Sequence, residues 1–204
     1  MTPALDAAID RTALLVIDLQ NDFLHPNGAY ARGGASAPAL GAVVAPAARL
    51  CEAARRCGVA TVASRFTLVA GPTGEPLISP HLLAMRPFLQ SGDFAAGSWG
   101  HETVDELGAL DTTVDMVAYS AFAHTRLGWW LHQVGIEHLV VCGIVTNGGV
   151  ASTVHDAHVR GLSVTVVGDA CAAFDDDLHA ATLRSLGSFA SIVTTDQVLE
   201  AWTS

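Results

Sequence analysis

The chain has 204 residues, of which 50% are hydrophobic, and a formal net charge of −10 at pH 7. This length and apolar content predict a single domain over residues 1–204, and the negative charge argues against nucleic acid or an anionic membrane as a partner. All 10 basic residues are arginines, which excludes mechanisms that need a lysine, such as Schiff-base formation or a Walker-type phosphate grip.

The lack of a recognisable export signal and the spacing of the cysteines predict a cytoplasmic protein. The chain has no basic start followed by an apolar segment, and no uncharged apolar run of about 18 residues. Cys51, Cys57, Cys142 and Cys171 are scattered and form no metal-binding or Cys-x-x-Cys pattern. We therefore expect an unexported protein with free thiols in a reducing compartment.

The first half of the chain alternates apolar runs with segments of helical period. Ala13–Ile17 predicts a buried strand, and Ala39–Cys57 predicts a helix that ends on arginines, with Gly58 just beyond it. Val59–Ser64 predicts a second strand. Residues 67–100 are rich in Gly, Pro and Ser and predict a long irregular connection, a kind of segment that is usually functional or mobile.

The second half continues this alternation, beginning with a strand and ending with a helix. The successive segments are Thr113–Val117, Arg126–Val134, Leu139–Cys142, Val150–Arg160, Ser163–Val167, Leu178–Phe189, Ser191–Val193 and Asp196–Trp202. Strands that alternate with helices predict a parallel sheet covered on both faces, with right-handed crossovers. The predicted fold class is therefore α/β, as a three-layer α/β/α sandwich.

An acid follows the first predicted strand. Asp18 comes directly after the run Leu14–Ile17, which reads as fully buried. Open α/β sheets bind their ligands at the carboxyl ends of the strands. Asp18 is therefore the first candidate for a functional residue.

Four segments at strand ends resemble the isochorismatase-like hydrolase superfamily, which includes nicotinamidases, other cysteine amidohydrolases and isochorismatases. They are "LLVIDLQNDF" (14–23), "YSAFAHTRL" (119–127), "LVVCGIVTNGGVASTVHDAHVRG" (139–161) and "VTVVGDACAAF" (164–174). The resemblance implies a six-stranded parallel sheet of order 3-2-1-4-5-6 with the active site at its carboxyl edge. It also implies a homodimer or larger homo-oligomer, for which the apolar "GWWLHQ" (128–133) is a candidate contact.

Only one of the three residues typical of the family's amidohydrolases is present. By that resemblance, Asp18 matches the conserved acid, whereas Met116 stands at the lysine position and Gly149 at the nucleophilic cysteine. The chain is therefore closer to the cysteine-lacking isochorismatases at this position. Cys142 and Cys171 are interpreted as structural thiols, because no charged neighbour suggests an activated thiolate.

Because Gly149 supplies no nucleophile, the resemblance favours a hydrolysis that begins with a proton transfer. Isochorismatases cleave a vinyl ether, which requires an acid to protonate the vinyl carbon and a water to attack the resulting cation. We expect Asp18 to be this general acid. Because Met116 supplies no cation, the pKa of Asp18 should lie above its ordinary value of about 3.9. The alternative is a relative that binds small molecules without hydrolysing them, or one with altered chemistry.

The backbone and one arginine are candidates for binding the substrate, which we expect to carry a carboxylate. In the family, a non-prolyl cis peptide, here Ile144–Val145, turns amide groups toward the substrate; the donors would be the N–H groups of Val145 and Gly149. Thr146 belongs to the same segment, although helix capping alone explains it. Arg65 is either a carboxylate anchor or an ordinary surface arginine.

Other candidates line the expected pocket with less support. Phe23 matches an aromatic wall in the family, and Gln20 is a polar neighbour of Asp18. Tyr119 and Phe122 belong to either the pocket or the core. The residues with which nicotinamidases hold a metal are absent, since "SRFTL" (64–68) stands in their place, so we expect no metal or cofactor.

Overall fold

The computed structural model describes residues 8–203 of the chain. It contains one six-stranded sheet whose order is β3-β2-β1-β4-β5-β6, and every pair of neighbouring strands is parallel. The strands are β1 (Thr12–Ile17), β2 (Ala60–Phe66), β3 (Thr112–Met116), β4 (His138–Ile144), β5 (Ser163–Ala172) and β6 (Ser191–Val193). The expected fold class and strand order are confirmed.

Nine α-helices lie in the described residues and flank the sheet or connect its strands. They are α1 (Asn21–Leu24), α2 (Ala29–Arg32), α3 (Pro38–Ala42), α4 (Val44–Cys57), α5 (Pro80–Met85), α6 (Leu127–Gln133), α7 (Ala151–Val159), α8 (Asp176–Leu186) and α9 (Thr195–Thr203). Short 3-10 helices cover Ile9–Arg11, Trp99–His101 and Asp105–Leu107, and a π-helical turn covers Thr146–Val150. Within residues 8–203, no helix is long and apolar enough to cross a membrane.

Several predicted element boundaries differ from the structure. The single helix expected over Ala39–Cys57 is two helices, α3 and α4, although it ends at Gly58 in the left-handed conformation as expected. The fifth strand runs five residues beyond its predicted end at Val167. Sequence periodicity did not find this extension because the residues that follow Val167 include Gly168 and Asp169, which are typical of turns.

The central strand β1 is buried along its whole length, as its apolar sequence predicts. It pairs with β2 on one side and with β4 on the other, so that Ile17 lies beside both Ser64 and Gly143. The chain order of the strands reverses between β1 and β4, which creates the crevice where sheets of this kind bind ligands. Asp18 leaves β1 at this crevice.

The long connection between β2 and β3 packs against the region that follows β1. The buried carboxyl group of Asp22 accepts a hydrogen bond from the Ala29 N–H (2.9 Å) and another from the Phe94 N–H (2.7 Å). Phe94 belongs to a small second core with Tyr30 and Leu89. The connection contains α5 and is therefore less irregular than its composition predicts.

One tryptophan of the "GWWLHQ" segment is exposed. Trp129 on α6 has 64% of its surface accessible, whereas Trp130 packs against the main core. An exposed indole beside a partly buried one is compatible with a contact surface. A homodimer or larger homo-oligomer stays a prediction.

Gly143 allows β1 and β4 to approach each other. Its φ is 115°, and a Cβ at this position would overlap the carbonyl oxygen of Ile17 and lie 2.7 Å from the Ile17 nitrogen. Gly135 also has a positive φ, 74°, but a Cβ there would meet no atom within 4 Å. Alanine substitutions at Gly135 and Gly143 therefore distinguish the loss of stability caused by a left-handed backbone from the loss caused by steric overlap.

We expect Gly143→Ala to lower the free energy of unfolding by about 3 kcal/mol or more, because the added methyl forces the two strands apart. Gly135→Ala should cost about 1–2 kcal/mol, since only its left-handed conformation disfavours a side chain. Urea denaturation of the two variants measures the difference. Equal losses in both variants would show that the approach of the strands at Gly143 is not tight.

Candidate active site

Asp18 lies at the carboxyl end of β1 and is 6% exposed. Its φ is 55°, a left-handed conformation that is uncommon for residues other than glycine and is found often at functional sites. The Ser64 hydroxyl donates a hydrogen bond of 2.9 Å to Asp18 Oδ1, and the Asp18 N–H donates one of 3.2 Å to the Ser64 carbonyl. The end of β2 therefore holds this carboxyl group in place.

Burial raises the pKa of Asp18 to about 8. Loss of hydration disfavours the charged carboxylate, and hydrogen bonds from Ser64 and the Phe66 backbone offset only part of this effect. The apolar side chain of Met116 lines the same cavity and supplies no charge. At neutral pH, Asp18 is therefore mostly protonated.

Gly149 lies beside this carboxyl group, in the turn Thr146–Val150 that follows β4. The Ile144–Val145 peptide before the turn is cis. A Cβ on Gly149 would lie 3.3 Å from Asp18 Oδ2, 3.1 Å from the Ile144 carbonyl oxygen and 2.9 Å from Ile17 Cγ2. A side chain at this position would therefore press on Ile17 and on the acid, and glycine is the residue that fits between them and the cavity that it lines.

The cavity in front of Asp18 has a volume of about 250 Å³. Its wall is mainly aromatic and aliphatic, and the aromatic residues are Phe23, Tyr30, Phe66, Tyr119 and Phe174. The Phe23 ring lies 4.8 Å from the ring of Tyr30, and the Tyr30 ring is stacked on Phe174 at 5.9 Å. The site is therefore suited to a small molecule with a flat or apolar body.

Comparison with known proteins identifies the family. Residues 12–197 match the family model described as the isochorismatase domain. The chain belongs to the isochorismatase-like hydrolases.

Its relatives include enzymes that are named for amide hydrolysis. Ureidoacrylate amidohydrolase RutB of Azorhizobium caulinodans is 34% identical over 163 residues, which cover 74% of this chain and 72% of the relative. RutB of Methylobacterium radiotolerans is also 34% identical, over 198 residues that cover 91% of this chain and 76% of the relative. A cysteine hydrolase structure from Pseudomonas syringae pv. phaseolicola matches 97% of this chain and 94% of its own, with a TM-score of 0.83 and 25% identity.

The structure brings six of the expected site residues to the cavity of this isochorismatase-like hydrolase. They are Asp18, Phe23, Met116, Tyr119, Val145 and Gly149. Tyr119 is 51% exposed, which places it at the mouth rather than in the core.

Arg65 does not fit the expected role of carboxylate anchor. Its guanidinium donates to Asp115 Oδ1 from Nε at 2.9 Å and to Glu102 Oε2 from Nη1 at 3.1 Å, and it does not line the cavity. Neighbouring residues of a strand point to opposite faces of the sheet. Because Ser64 points toward Asp18, Arg65 points away from it.

Three other expected residues also lie outside the cavity lining. Phe122 is buried in the main core, with the Arg160 guanidinium carbon 4.7 Å from its ring centroid. Thr146 is buried and its hydroxyl lies 2.8 Å from His179 Nδ1, which ties the turn to α8. Gln20 is buried and exchanges two hydrogen bonds with the Phe66 backbone, so it positions the end of β2 rather than the substrate.

Sequence reasoning missed several residues of the site. The sequence predicts Ser64 only as the last residue of a strand. The expected pairing of this strand with the first one is the signal that could have placed Ser64 near Asp18, since Ser64 pairs with Ile17 in the sheet. Tyr30, Arg86 and Phe174 also line the cavity. They come from α2, from the end of α5 and from the segment after β5, and no local pattern in the sequence connects these segments.

The cysteines of the sheet are poor nucleophiles. Cys142 and Cys171 are both buried. Burial raises the pKa of Cys171 to about 12 and raises that of Cys142 well above its ordinary range. Their thiols therefore remain protonated near neutral pH, as expected of structural residues.

Among residues 8–203, no group of three or more acidic, His or Cys side chains is arranged to hold a metal.

The raised pKa of Asp18 predicts a pH-dependent cost to stability. Between its ordinary value of 3.8 and about 8, the folded state holds a proton that the unfolded state has released. This linkage lowers the free energy of unfolding by up to about 1.4 kcal/mol for each pH unit in that window. Asp18→Asn removes the cost, so the stability advantage of the variant over wild type should grow from pH 4 to pH 8.

Urea denaturation of both proteins at a series of pH values measures this advantage. The exposed Asp105→Asn variant is the control, and its stability relative to wild type should change little over the same range. An advantage of Asp18→Asn that stays constant with pH would contradict the assignment of a buried neutral acid.

Proposed function

We propose that the chain is a cysteine-independent hydrolase that cleaves a small vinyl ether, or a similarly acid-labile compound, with Asp18 as the general acid. The observation that supports this proposal is the juxtaposition of a buried carboxyl group, which holds a proton near neutral pH, and a glycine at the nucleophile position. An acid of this kind can start the reaction without a nucleophilic side chain.

The reaction proceeds in two steps that use the same carboxyl group. Asp18 first gives its proton to the terminal vinyl carbon, which turns the ether carbon into an oxocarbenium ion. Water then adds to that carbon and loses a proton to the Asp18 carboxylate, which restores the acid. The resulting hemiketal breaks its bond to the alcohol oxygen and releases a ketone and an alcohol, so one water is consumed in each turnover.

The space at Gly149 is a suitable position for the attacking water. Asp18 Oδ2 and the Ile144 carbonyl oxygen both lie within 3.3 Å of the point that a Cβ of Gly149 would occupy. A water in front of this point has two hydrogen-bond acceptors, one of which is the carboxylate that must take its proton. Gly149 lines the cavity, so a water can reach these two acceptors from the cavity side.

Two other functions remain as alternatives. The names of the curated relatives favour amide hydrolysis, but this reaction in the cysteine hydrolases needs a thiolate, and the described cysteines do not line the cavity. The absence of both the lysine and the cysteine favours a relative that binds small molecules without converting them. Thermal-shift assays and product assays with the same compounds separate binding from turnover.

We expect the protein to release pyruvate from a vinyl ether of pyruvate. A suitable substrate is 2-ethoxyacrylate, which carries a single carboxylate and gives pyruvate and ethanol on hydrolysis. The kcat/KM of wild type should fall about tenfold for each pH unit above about 8, because Asp18 then loses its proton. Asp18→Asn should lower kcat about 100- to 10,000-fold, which is the usual contribution of a general acid.

Thiol alkylation is the control for the cysteine-dependent alternative. Iodoacetamide should leave the wild-type rate unchanged, because Gly149 supplies no sulfur and the two cysteines of the sheet are buried. Equal rates for wild type and Asp18→Asn would eliminate the general-acid role. Ureidoacrylate hydrolysis that alkylation abolishes would favour the amidase alternative instead.

The proposed water position predicts the effect of a methyl group at Gly149. Gly149→Ala should lower kcat about 100-fold with little change in KM, because the methyl occupies the space beside Asp18 Oδ2. Gly168→Ala is the matched control, since its Cβ would also make a close contact, 3.2 Å from Leu183 Cδ1, but away from the cavity. Unchanged turnover in Gly149→Ala would show that the attacking water binds elsewhere.

A further inference from the structure

Arg86 is a cation in the cavity that has no acidic partner among the described residues. It follows α5 and lines the cavity together with Asp18 and Tyr30. Its described contacts are a hydrogen bond from Nε to the Tyr30 hydroxyl and the faces of two aromatic rings. The chain carries 20 acidic residues against 10 arginines, so an arginine without a carboxylate is not explained by a shortage of acids.

Most other described arginines do have a carboxylate. Six form ion pairs with Asp or Glu side chains, namely Arg11, Arg32, Arg49, Arg56, Arg65 and Arg160. All six of these pairs lie outside the cavity lining. The remaining three, Arg55, Arg126 and Arg184, form no described ion pair either, but they also lie outside the cavity lining. Arg86 therefore differs from the other described arginines in its location.

The surroundings of Arg86 orient its guanidinium group. Tyr30, which is only 4% exposed, binds Nε through its hydroxyl. The guanidinium carbon lies 5.7 Å from the centre of the Tyr30 ring and 6.0 Å from that of Phe174, and these two rings are stacked with an angle of 13° between their planes. The Nη1 and Nη2 groups remain as donors for a ligand, and two such donors match the two oxygens of a carboxylate.

We infer that Arg86, oriented by Tyr30, is the binding site for the carboxylate of a small, flat monocarboxylate, whose body packs against the aromatic wall of the cavity. This inference rests on the proposed function for the chemistry that follows binding, and it names the class of substrate for the same site. The assignment replaces Arg65, whose donors are used by Asp115 and Glu102.

The charges that face the cavity favour one carboxylate rather than two. The titratable or charged groups in its lining are Asp18, Tyr30, His81, Arg86 and Tyr119. Arg86 is the one arginine among them, and the chain has no lysine. Near neutral pH Asp18 is mostly protonated, because burial raises its pKa, so it does not repel an anion. A second carboxylate near Met116 would lose its hydration without gaining a cation.

Binding of benzoate and of its uncharged analogue benzamide tests this inference. Isothermal titration calorimetry should show that Arg86→Gln weakens benzoate binding about tenfold or more, which is typical of a lost charge-assisted hydrogen bond. Benzamide binding should change little in the same variant. Phthalate, which adds a second carboxylate to the same ring, should bind wild type more weakly than benzoate does.

Two control variants separate this inference from a general loss of structure and from the proposed function. Arg184→Gln removes an exposed arginine of α8 and should leave benzoate binding unchanged. Asp18→Asn should lower the rate of hydrolysis about 100- to 10,000-fold but retain the Arg86-dependent binding of benzoate, so binding can succeed where the proposed chemistry fails. Arg86→Lys keeps the charge without the planar fork and should give an intermediate affinity.

Three results would overturn the inference. They are equal benzoate affinity in wild type and Arg86→Gln, an equal loss of benzoate and benzamide binding in that variant, and the absence of saturable benzoate binding to wild type at millimolar concentration. Thermal unfolding of each variant shows whether the fold is intact. If Arg86→Gln does not fold, Arg86→Lys decides between the outcomes, because unchanged benzoate affinity in this variant contradicts recognition by the guanidinium fork.

Discussion

A carboxyl group buried at the reversal point of the sheet, without a cation beside it, is the constraint on which the site depends. The sheet places Asp18 between β2 and β4, where Ser64 fixes one of its oxygens and Gly149 lies beside the other. Because Met116 offers no charge, burial dominates and raises the pKa of the acid. A methionine and a glycine beside the carboxyl group therefore give it an environment suited to a proton donor.

The rest of the cavity is held by contacts between segments that are far apart in the chain. Asp22 binds the backbones of Ala29 and Phe94, and Gln20 binds the backbone of Phe66. These buried hydrogen bonds keep the aromatic wall in front of Asp18, and the same wall carries Arg86 on the ring of Tyr30. The acid and the cation are thus positioned by different elements, and their environments can be altered separately.

The extent to which the sequence predicted the site varies from residue to residue. Asp18 and Gly149 follow central strands and belong to motifs that resemble the family, and the structure places both at the cavity. The sequence left Arg65 as either a carboxylate anchor or an ordinary surface arginine. In the structure it binds Asp115 and Glu102, because adjacent strand residues face opposite sides of the sheet. Arg86 lies in a long connection that has no periodicity from which its position could be inferred.

The sequence by itself determined the layered α/β architecture, because the alternation of buried strands and amphipathic helices permits few other arrangements. The resemblance of four motifs to a known family predicted the strand order. It also predicted that Asp18 and Gly149 belong to the same site. Only the tertiary structure decided which arginine lines the cavity and which aromatic residues form its wall. Some of those contacts join residues that are far apart in the chain, such as Tyr30 and Arg86, which are separated by 56 positions. Local sequence patterns carry no information about such pairs.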